Sequence, residues 1–399
     1  MSSCATACMP SAYQHLIPGF VEEVFGQLQR VDQRRWASAY LGGLLSVPGK
    51  KTLQQVAKAV SHTPAAAHGL QQFINSSPWQ WHPVRHALKR KVAQHVPVRA
   101  WSITEVVIPK RGHHSVGVHR RFDEEAGRTI NCQVALGLFM ASDALAIPVD
   151  WMIVLDESWC DDAYRRQRAR IPDSVTHRPD WAHVLDFAAR VTDERQAASV
   201  PWVADLRGCR DVLPVTSSFA RQGIDFIFEV NAAQLVLNPK SSAAVVTAAE
   251  LMRNGQARQP HLVTMEGGSD WPRQSTVYSA QIRLPRQGAP SGSPPRTHRL
   301  IARPSRRGWP GARYWITSFT DRRVDETLAY LRHTRSTESA VMTLEEDFGI
   351  QDFEGRSFPG WHHHMTMASA AYAFRHLYPV HAPDDHRAEP PRLAERYPA

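Results

Sequence analysis

The sequence predicts an α/β protein organised around one mixed sheet, with a helical N-terminal region ahead of the sheet and a β-rich insertion within it. Three observations carry this expectation. Up to about residue 99, apolar residues recur every three to four positions, the period of an amphipathic helix. From residue 100 several strand-like segments follow one another with short turns between them. Helix and strand then alternate, until residues 256–316 break into short strands separated by Gly, Pro and Arg.

Residues 1–18 read as a flexible N-terminus. In the helical region, 19–99, Phe20, Val24, Phe25 and Leu28 share one face, and Trp36, Tyr40, Leu44 and Leu45 form a second run. Thr52 to Ala57 reads as a short helix. Ser61-His62-Thr63-Pro64 is a polar turn whose cap and proline start another helix, with Ala67 to Phe73 on it. The pair is either a helix-turn-helix that reads DNA with its second helix or an ordinary helical hairpin. Residues 84–99 carry Arg85, Lys89, Arg90, Lys91 and Arg99 as a basic helix face, and Lys89, Arg90 and Lys91 are candidate nucleic-acid contacts.

The first part of the core spans 100–255. Trp101 to Thr104 reads as a buried strand, Ser115 to Arg121 alternates, and Thr129 to Met140 and Ile147 to Leu155 are longer strands. A helix with Trp181, Val184, Leu185 and Ala188 on one side follows. Val200 to Asp205 reads as a strand ending in a carboxylate, residues 212–222 as a helix, and Phe226 to Val230 as a strand. A meander followed by alternating helix and strand is the order expected of an RNase H-like mixed sheet. The insertion, 256–318, contains strands within 271–284, 298–303 and 313–317 and arginines at 296, 299, 303, 306, 307 and 313. Arg303, Arg306 and Arg307 are candidate phosphate contacts. Arg165, Arg166, Arg168 and Arg170 beside Asp161 and Asp162 are either a phosphate-binding patch, with Arg165 and Arg166 its candidates, or a solvated loop. The C-terminal part of the core, 319–378, reads as one long helix over 323–348 and another over 361–378. The tail, 379–399, is rich in Pro, charge and His and reads as disordered.

Composition narrows the function. With 399 residues, 43% of them hydrophobic, the chain can bury a sizeable core. The formal charge of +9 suits a polyanionic partner, meaning DNA, RNA or an acidic surface, with solubility charge alone as the alternative. A homodimer stays open. Cys4, Cys8, Cys132, Cys160 and Cys209 are odd in number and scattered, which argues against a disulfide framework and for a reducing, cytoplasmic setting. No apolar run reaches the length of a membrane span, and the N-terminus does not have the pattern of a signal peptide. His362-His363-His364 reads as packing or a phosphate contact rather than as a metal site.

Several blocks in order carry a family resemblance. They are Phe25-Gly26 with Arg34-Arg35 and Tyr40 to Leu45; Pro109-Lys110-Arg111-Gly112 with Ser115 to Arg120 and Asn131 to Val134; Trp202 to Asp205; and Phe348-Gly349-Ile350 with Phe353 to Ser357 and Gly360 to His364. Together they resemble the DDE superfamily endonucleases of bacterial insertion sequences, specifically the insertion-sequence 701 family. The resemblance implies an RNase H-like transposase in which three carboxylates hold two Mg²⁺ ions that clamp the attacking and leaving oxygens at phosphorus. Mg²⁺ takes hard oxygen ligands, so Asp or Glu is required.

Carried onto this chain, the second carboxylate is Asp205 and the third Glu338, with Glu354 as an alternative. These two are the candidate metal ligands. Thr334 and Arg335 stand where those transposases carry Arg-Trp, and Glu345 stands where they carry a lysine. The first carboxylate is absent. Pro109 and Gly112 fix the register, and the expected Asp is Thr104, whose neutral hydroxyl does not bridge two divalent ions. Glu105 should aim to the opposite face, because adjacent strand residues alternate, unless a bulge turns it back. Leu206-Arg207-Gly208-Cys209 also departs from the family pattern and puts Arg207 beside the site. The resemblance with these changes implies a nucleic-acid-binding transposase relative whose active site is degenerate, Mg²⁺ not being bound productively. The alternatives are a scaffold co-opted for other chemistry, with Asp205 and Glu338 as an acid–base pair and Thr104 or Cys209 beside them, and a non-cutting DNA-binding regulator.

Overall fold

The computed structural model describes residues 15–61, 63–123, 127–192, 200–237, 244–255, 258–264, 274–285 and 296–379. The expected flexible N-terminus lies outside these residues up to residue 14, as does the expected disordered tail from residue 380. Cys4, Cys8 and His62 lie outside them too.

The N-terminal region folds as five helices, α1 (Ile17–Phe25), α2 (Val31–Ser46), α3 (Leu53–Val60), α4 (Pro64–Asn75) and α5 (Trp81–His95). Thr52 caps α3 by accepting from the Gln55 amide while the Gln55 side chain answers the Thr52 amide. At Gly69 of α4 the Trp36 ring lies where a Cβ would stand, so the close approach of α2 and α4 requires glycine.

The expected basic face of α5 is corrected by the structure. Arg85, Lys89 and Lys91 are buried, while Arg90 and, beyond the end of the helix, Arg99 are exposed. The reason is a set of internal partners. Arg85 bonds Asp150 (2.8 Å), the Trp151 carbonyl (2.7 Å), Thr366 Oγ1 (2.8 Å) and the His362 carbonyl (3.0 Å). Lys91 pairs with Glu23, and Lys89 Nζ donates to the Arg190 carbonyl at 3.2 Å.

The sheet follows. Its strands are β1 (Ala100–Pro109), β2 (His119–Asp123), β3 (Arg128–Ala141), β4 (Ala146–Val154), β5 (Trp202–Asp205), β6 (Phe226–Val230), β9 (Gln259–Thr264), β10 (Gln274–Ile282), β11 (His298–Ser305) and β12 (Gly308–Thr317). Two short strands, β7 (Leu235–Leu237) and β8 (Val245–Thr247), form a separate hairpin. The order is β2-β3-β1-β5-β6-β12-β11-β10-β9, with β4 also on β3. β5 lies parallel to β1 and to β6, and the other pairings are antiparallel. This is the RNase H-like mixed sheet that the element order predicts. The insertion strands continue the same sheet, because Tyr314 to Thr317 pair directly with Ile227 to Val230.

The helices between and after the strands are α6 (Glu157–Cys160), α7 (Ala163–Ala169), α8 (Asp180–Thr192), α9 (Leu213–Gln222), α10 (Ala248–Arg253), α11 (Val324–Ala329), α12 (Arg332–Asp347) and α13 (Phe358–Leu377). The single helix expected over 323–348 is two. Leu331 and His333 amides bond three residues back, so the chain tightens for one turn between α11 and α12. α13, capped by Ser357 and buried almost all round, packs on β4, α2, α4 and α5 and is the central helix of the molecule. α12 packs across β1, β3, β4 and β5, which sets its side chains over one face of the sheet.

Candidate functional site: an arginine-bridged carboxylate cluster

β1 and β5 are parallel with Ile103 opposite Ala204, so the next residues, Thr104 and Asp205, stand side by side at the end of β5. Asp205 pairs in turn with Glu229 of β6, and Glu229 with Trp315 of β12. Residues paired across neighbouring strands share a face, and so do residues two apart in one strand. Thr104, Asp205, Glu229 and Arg313 therefore gather on one face, the face that α12 covers and to which it brings Glu338.

Glu105 points the other way. Its carboxylate meets Arg121 of β2 at 2.7 Å on the opposite face, so no bulge returns it to the cluster. Thr104 is half-buried, and its hydroxyl reaches no partner in the cluster, only the Glu105 carbonyl at 3.4 Å.

The acids of the cluster are held by guanidinium groups. Arg207 Nε lies 3.0 Å from both oxygens of Asp205 and Nη2 lies 2.7 Å from Oδ2, while the Arg207 amide donates to Oδ1 at 3.0 Å. Arg207 Nε also stands 3.6 Å from Glu229 Oε1. Glu229 is 4% exposed and takes both of its bonds from Arg313, one at 2.7 Å from Nε and a second from Nη2. The result is a chain of alternating charge, Asp205–Arg207–Glu229–Arg313. Glu338 stands beside it: partial desolvation pushes its carboxyl up, Arg313 pulls it down, and Glu229 and Asp205 push it up further.

Sequence reasoning named Thr104, Asp205 and Glu338, and the fold brings these three together. It missed Glu229 and the role of Arg313. The signal was present: a glutamate inside the apolar strand Phe226-Ile227-Phe228-Glu229-Val230 has to be buried with a cation, and the insertion arginines were the supply. Glu354, the alternative third acid, lies in the connection between α12 and α13 and contributes to the surroundings of Tyr40 and Lys110 instead.

The donor set does not fit a pair of magnesium ions. Asp205 has both oxygens engaged by Arg207, Glu229 has both engaged by Arg313, and Thr104 brings no charge. Among the described residues no group of three His, Cys, Asp or Glu is placed to hold a metal ion. The triple histidine of α13 is engaged in packing: His362 stacks on Trp81 at 4.5 Å, His363 faces the Ile74 and Trp79 carbonyls at 2.8 Å, and His364 bonds the Tyr40 hydroxyl at 3.0 Å and the Gly349 carbonyl at 2.9 Å.

The other candidate contacts are distributed. Arg165 bonds Ser158 and stacks over Trp159 at 4.2 Å. Arg166 donates to the Cys160, Pro172 and Val175 carbonyls. Arg306 and Arg307 are exposed in the turn between β11 and β12, and Arg303 is half-buried at the end of β11. Cys209 is buried, and burial pushes its thiol up to about 12, which leaves it un-ionised and a weak nucleophile. Among the described residues no helix is long and apolar enough to cross a membrane.

Residues 23–275, more than half of the chain, match the family model described as DDE superfamily endonuclease. No curated protein matches the chain.

Proposed function

This chain belongs to the DDE superfamily endonuclease family, and from that premise we propose a transposase-like protein that binds DNA and is impaired in metal-dependent strand cleavage. The reading places it with the insertion-sequence 701 group and in the cytoplasm, on the residue blocks and scattered cysteines described above. The supporting observation is the bidentate clasp of Arg207 on Asp205 beside a threonine. A guanidinium already supplies the positive charge at that carboxylate, so a divalent ion would have to displace it and would then find Asp205 and Glu338 as anionic ligands, Glu229 being held by Arg313. Family enzymes use the metals to activate the nucleophile and neutralise the leaving oxygen. Without that service Thr104 offers no substitute, because an alcohol carries neither the charge nor the basicity for the task.

Binding is supported by other features. α4 turns His68, Gln71 and Gln72 outward, side chains that can hydrogen-bond base edges. Exposed Arg90, Arg306 and Arg307 supply phosphate contacts.

Metal-dependent nicking of end-labelled duplex DNA tests the reading. The expected result is no cutting above background by the wild-type chain with Mg²⁺ or Mn²⁺, together with salt-sensitive DNA binding. Efficient wild-type cutting that disappears in Asp205→Ala would overturn it.

A further inference from the structure

A cavity of about 270 Å³ lies apart from the carboxylate cluster, where the start of α5, strand β4, the connection before α8 and the start of α13 meet. It is partly open to solvent, with Ser174 and Thr176 among its exposed wall residues. One wall is aromatic. Trp81 stacks on His362 with ring centroids 4.5 Å apart, and Phe358 sets its ring edge-on to both. These rings fix one another, so the wall is formed before any ligand arrives. The size falls just below that of clefts for drug-sized ligands, about 300–1,000 Å³, which limits the occupant to one or two fused rings.

The walls carry no charge in need of a partner. Arg178 is paired with Asp186 at 2.5 Å, and Arg190 with Asp150 at 2.7 Å. The imidazoles of His82, His183 and His362 lie below their usual range, through burial first, and are neutral at physiological pH. Two wall residues nevertheless hold a buried polar atom without a partner among the described residues, Trp81 Nε1 and His183 Nε2. Buried polar groups are bonded as a rule. The indole nitrogen only donates, and the neutral imidazole nitrogen donates or accepts according to its tautomer. An ion would find no unpaired charge here, and an aliphatic ligand would leave both atoms unbonded.

We propose that this cavity binds an uncharged planar heteroaromatic ring, a nucleobase, against the rings of Trp81 and Phe358, with the edge of the base bonded to Trp81 Nε1 and His183 Nε2. Its faces suit the aromatic wall, and its edge carries both donors and acceptors. The base comes either from a free nucleoside or from an unpaired position in a strand. The inference does not rest on the reading of the carboxylate cluster or on DNA binding, and survives if those fail.

Isothermal titration calorimetry on the full chain tests it with adenosine, guanosine, cytidine and thymidine, and with two duplexes of one sequence, fully paired or carrying a single bulged base. At least one nucleoside, or the bulged duplex in preference to the paired one, is expected to bind. Trp81→Phe keeps the ring and removes the N–H, and should weaken that binding about fivefold or more. Ser174→Trp fills the cavity from an exposed position and should abolish it. Preference for the bulged duplex, lost in Ser174→Trp, identifies a strand as the source of the base. Nucleoside binding with equal affinity for the two duplexes identifies a free nucleoside. If Trp81→Phe does not fold, Ser174→Trp alone decides. The proposal is overturned if no nucleoside binds and the bulge adds nothing to duplex affinity, or if binding is unchanged in both variants.

Discussion

The Arg207 guanidinium grips both carboxylate oxygens of Asp205, two residues earlier, with Nη2 at 2.7 Å from Oδ2. The clasp puts a fixed positive charge on the carboxylate best placed to bind a metal. A carboxylate placed at position 104 would therefore leave that guanidinium on Asp205.

Thr104→Asp by itself is expected to leave Mn²⁺ affinity close to the wild-type level, because Arg207 still holds Asp205. Thr104→Asp combined with Arg207→Ala should tighten Mn²⁺ binding at least tenfold, about 1.4 kcal/mol. Calorimetric titration of the two variants compares them directly. Equal, tight binding by the single variant would show that the guanidinium is no obstacle.

The two arginines differ in their structural weight. Asp205 and Arg207 are both substantially solvent-exposed, so Arg207→Ala should cost under about 1 kcal/mol of stability. Glu229 is buried, and Arg313→Ala strands its charge, with Arg207 at 3.6 Å as the nearest relief. A loss of about 3–5 kcal/mol is expected. Urea unfolding of the two variants should separate them by at least 2 kcal/mol, on the order of those figures.

Gly349 ends α12 in the left-handed region, φ +64°, and a Cβ there would stand 2.5 Å from Lys51 Cγ and 2.8 Å from Asp352 Oδ2. Gly349→Ala should lower stability by about 1–3 kcal/mol from backbone strain and crowding together. A thermal melt unchanged from wild type would contradict this account of the turn.

Stability should fall with acid before the carboxylates titrate. Burial pushes His183, His333 and His364 down to about 4 in the folded chain, against about 6.5 unfolded. Between those values the unfolded state binds more protons, so stability is full above about pH 6.5 and declines as pH falls toward 4. A loss of about 2 kcal/mol per imidazole is expected between pH 7.5 and 5. Denaturation at the two pH values measures it, and His364→Gln should reduce the dependence. An unfolding free energy independent of pH across this interval would refute it.

Much of the architecture was legible along the chain. The succession of strands and helices along the chain, the helix after the meander and the strand ending at Asp205 follow from local periodicity, and local periodicity is what a sequence displays. The tightened turn at Leu331 was not legible, because nothing in Leu331-Arg332-His333 breaks a helical pattern. Inside the fold, His333 Nδ1 meets the Ser142 carbonyl at 3.1 Å. The basic look of α5 also misled, since a buried Arg85 and an exposed Arg90 carry the same charge and only Asp150, sixty-five positions away, distinguishes them.

The sequence by itself determined which side chains the elements carry: a threonine at 104 within a strand, an aspartate at 205 ending a strand, and a glutamate at 338 on a helix. Alternation along β1 pointed Glu105 away unless a bulge intervened, and its pair with Arg121 in the fold decided the matter. Only the tertiary structure decided what those side chains meet. Arg207 turns back on Asp205, Arg313 crosses from the insertion to Glu229, and α12 lays Glu338 beside them. Each of these contacts depends on the positions of whole strands and helices, and charge pairing between distant residues is set by that placement rather than by spacing along the chain.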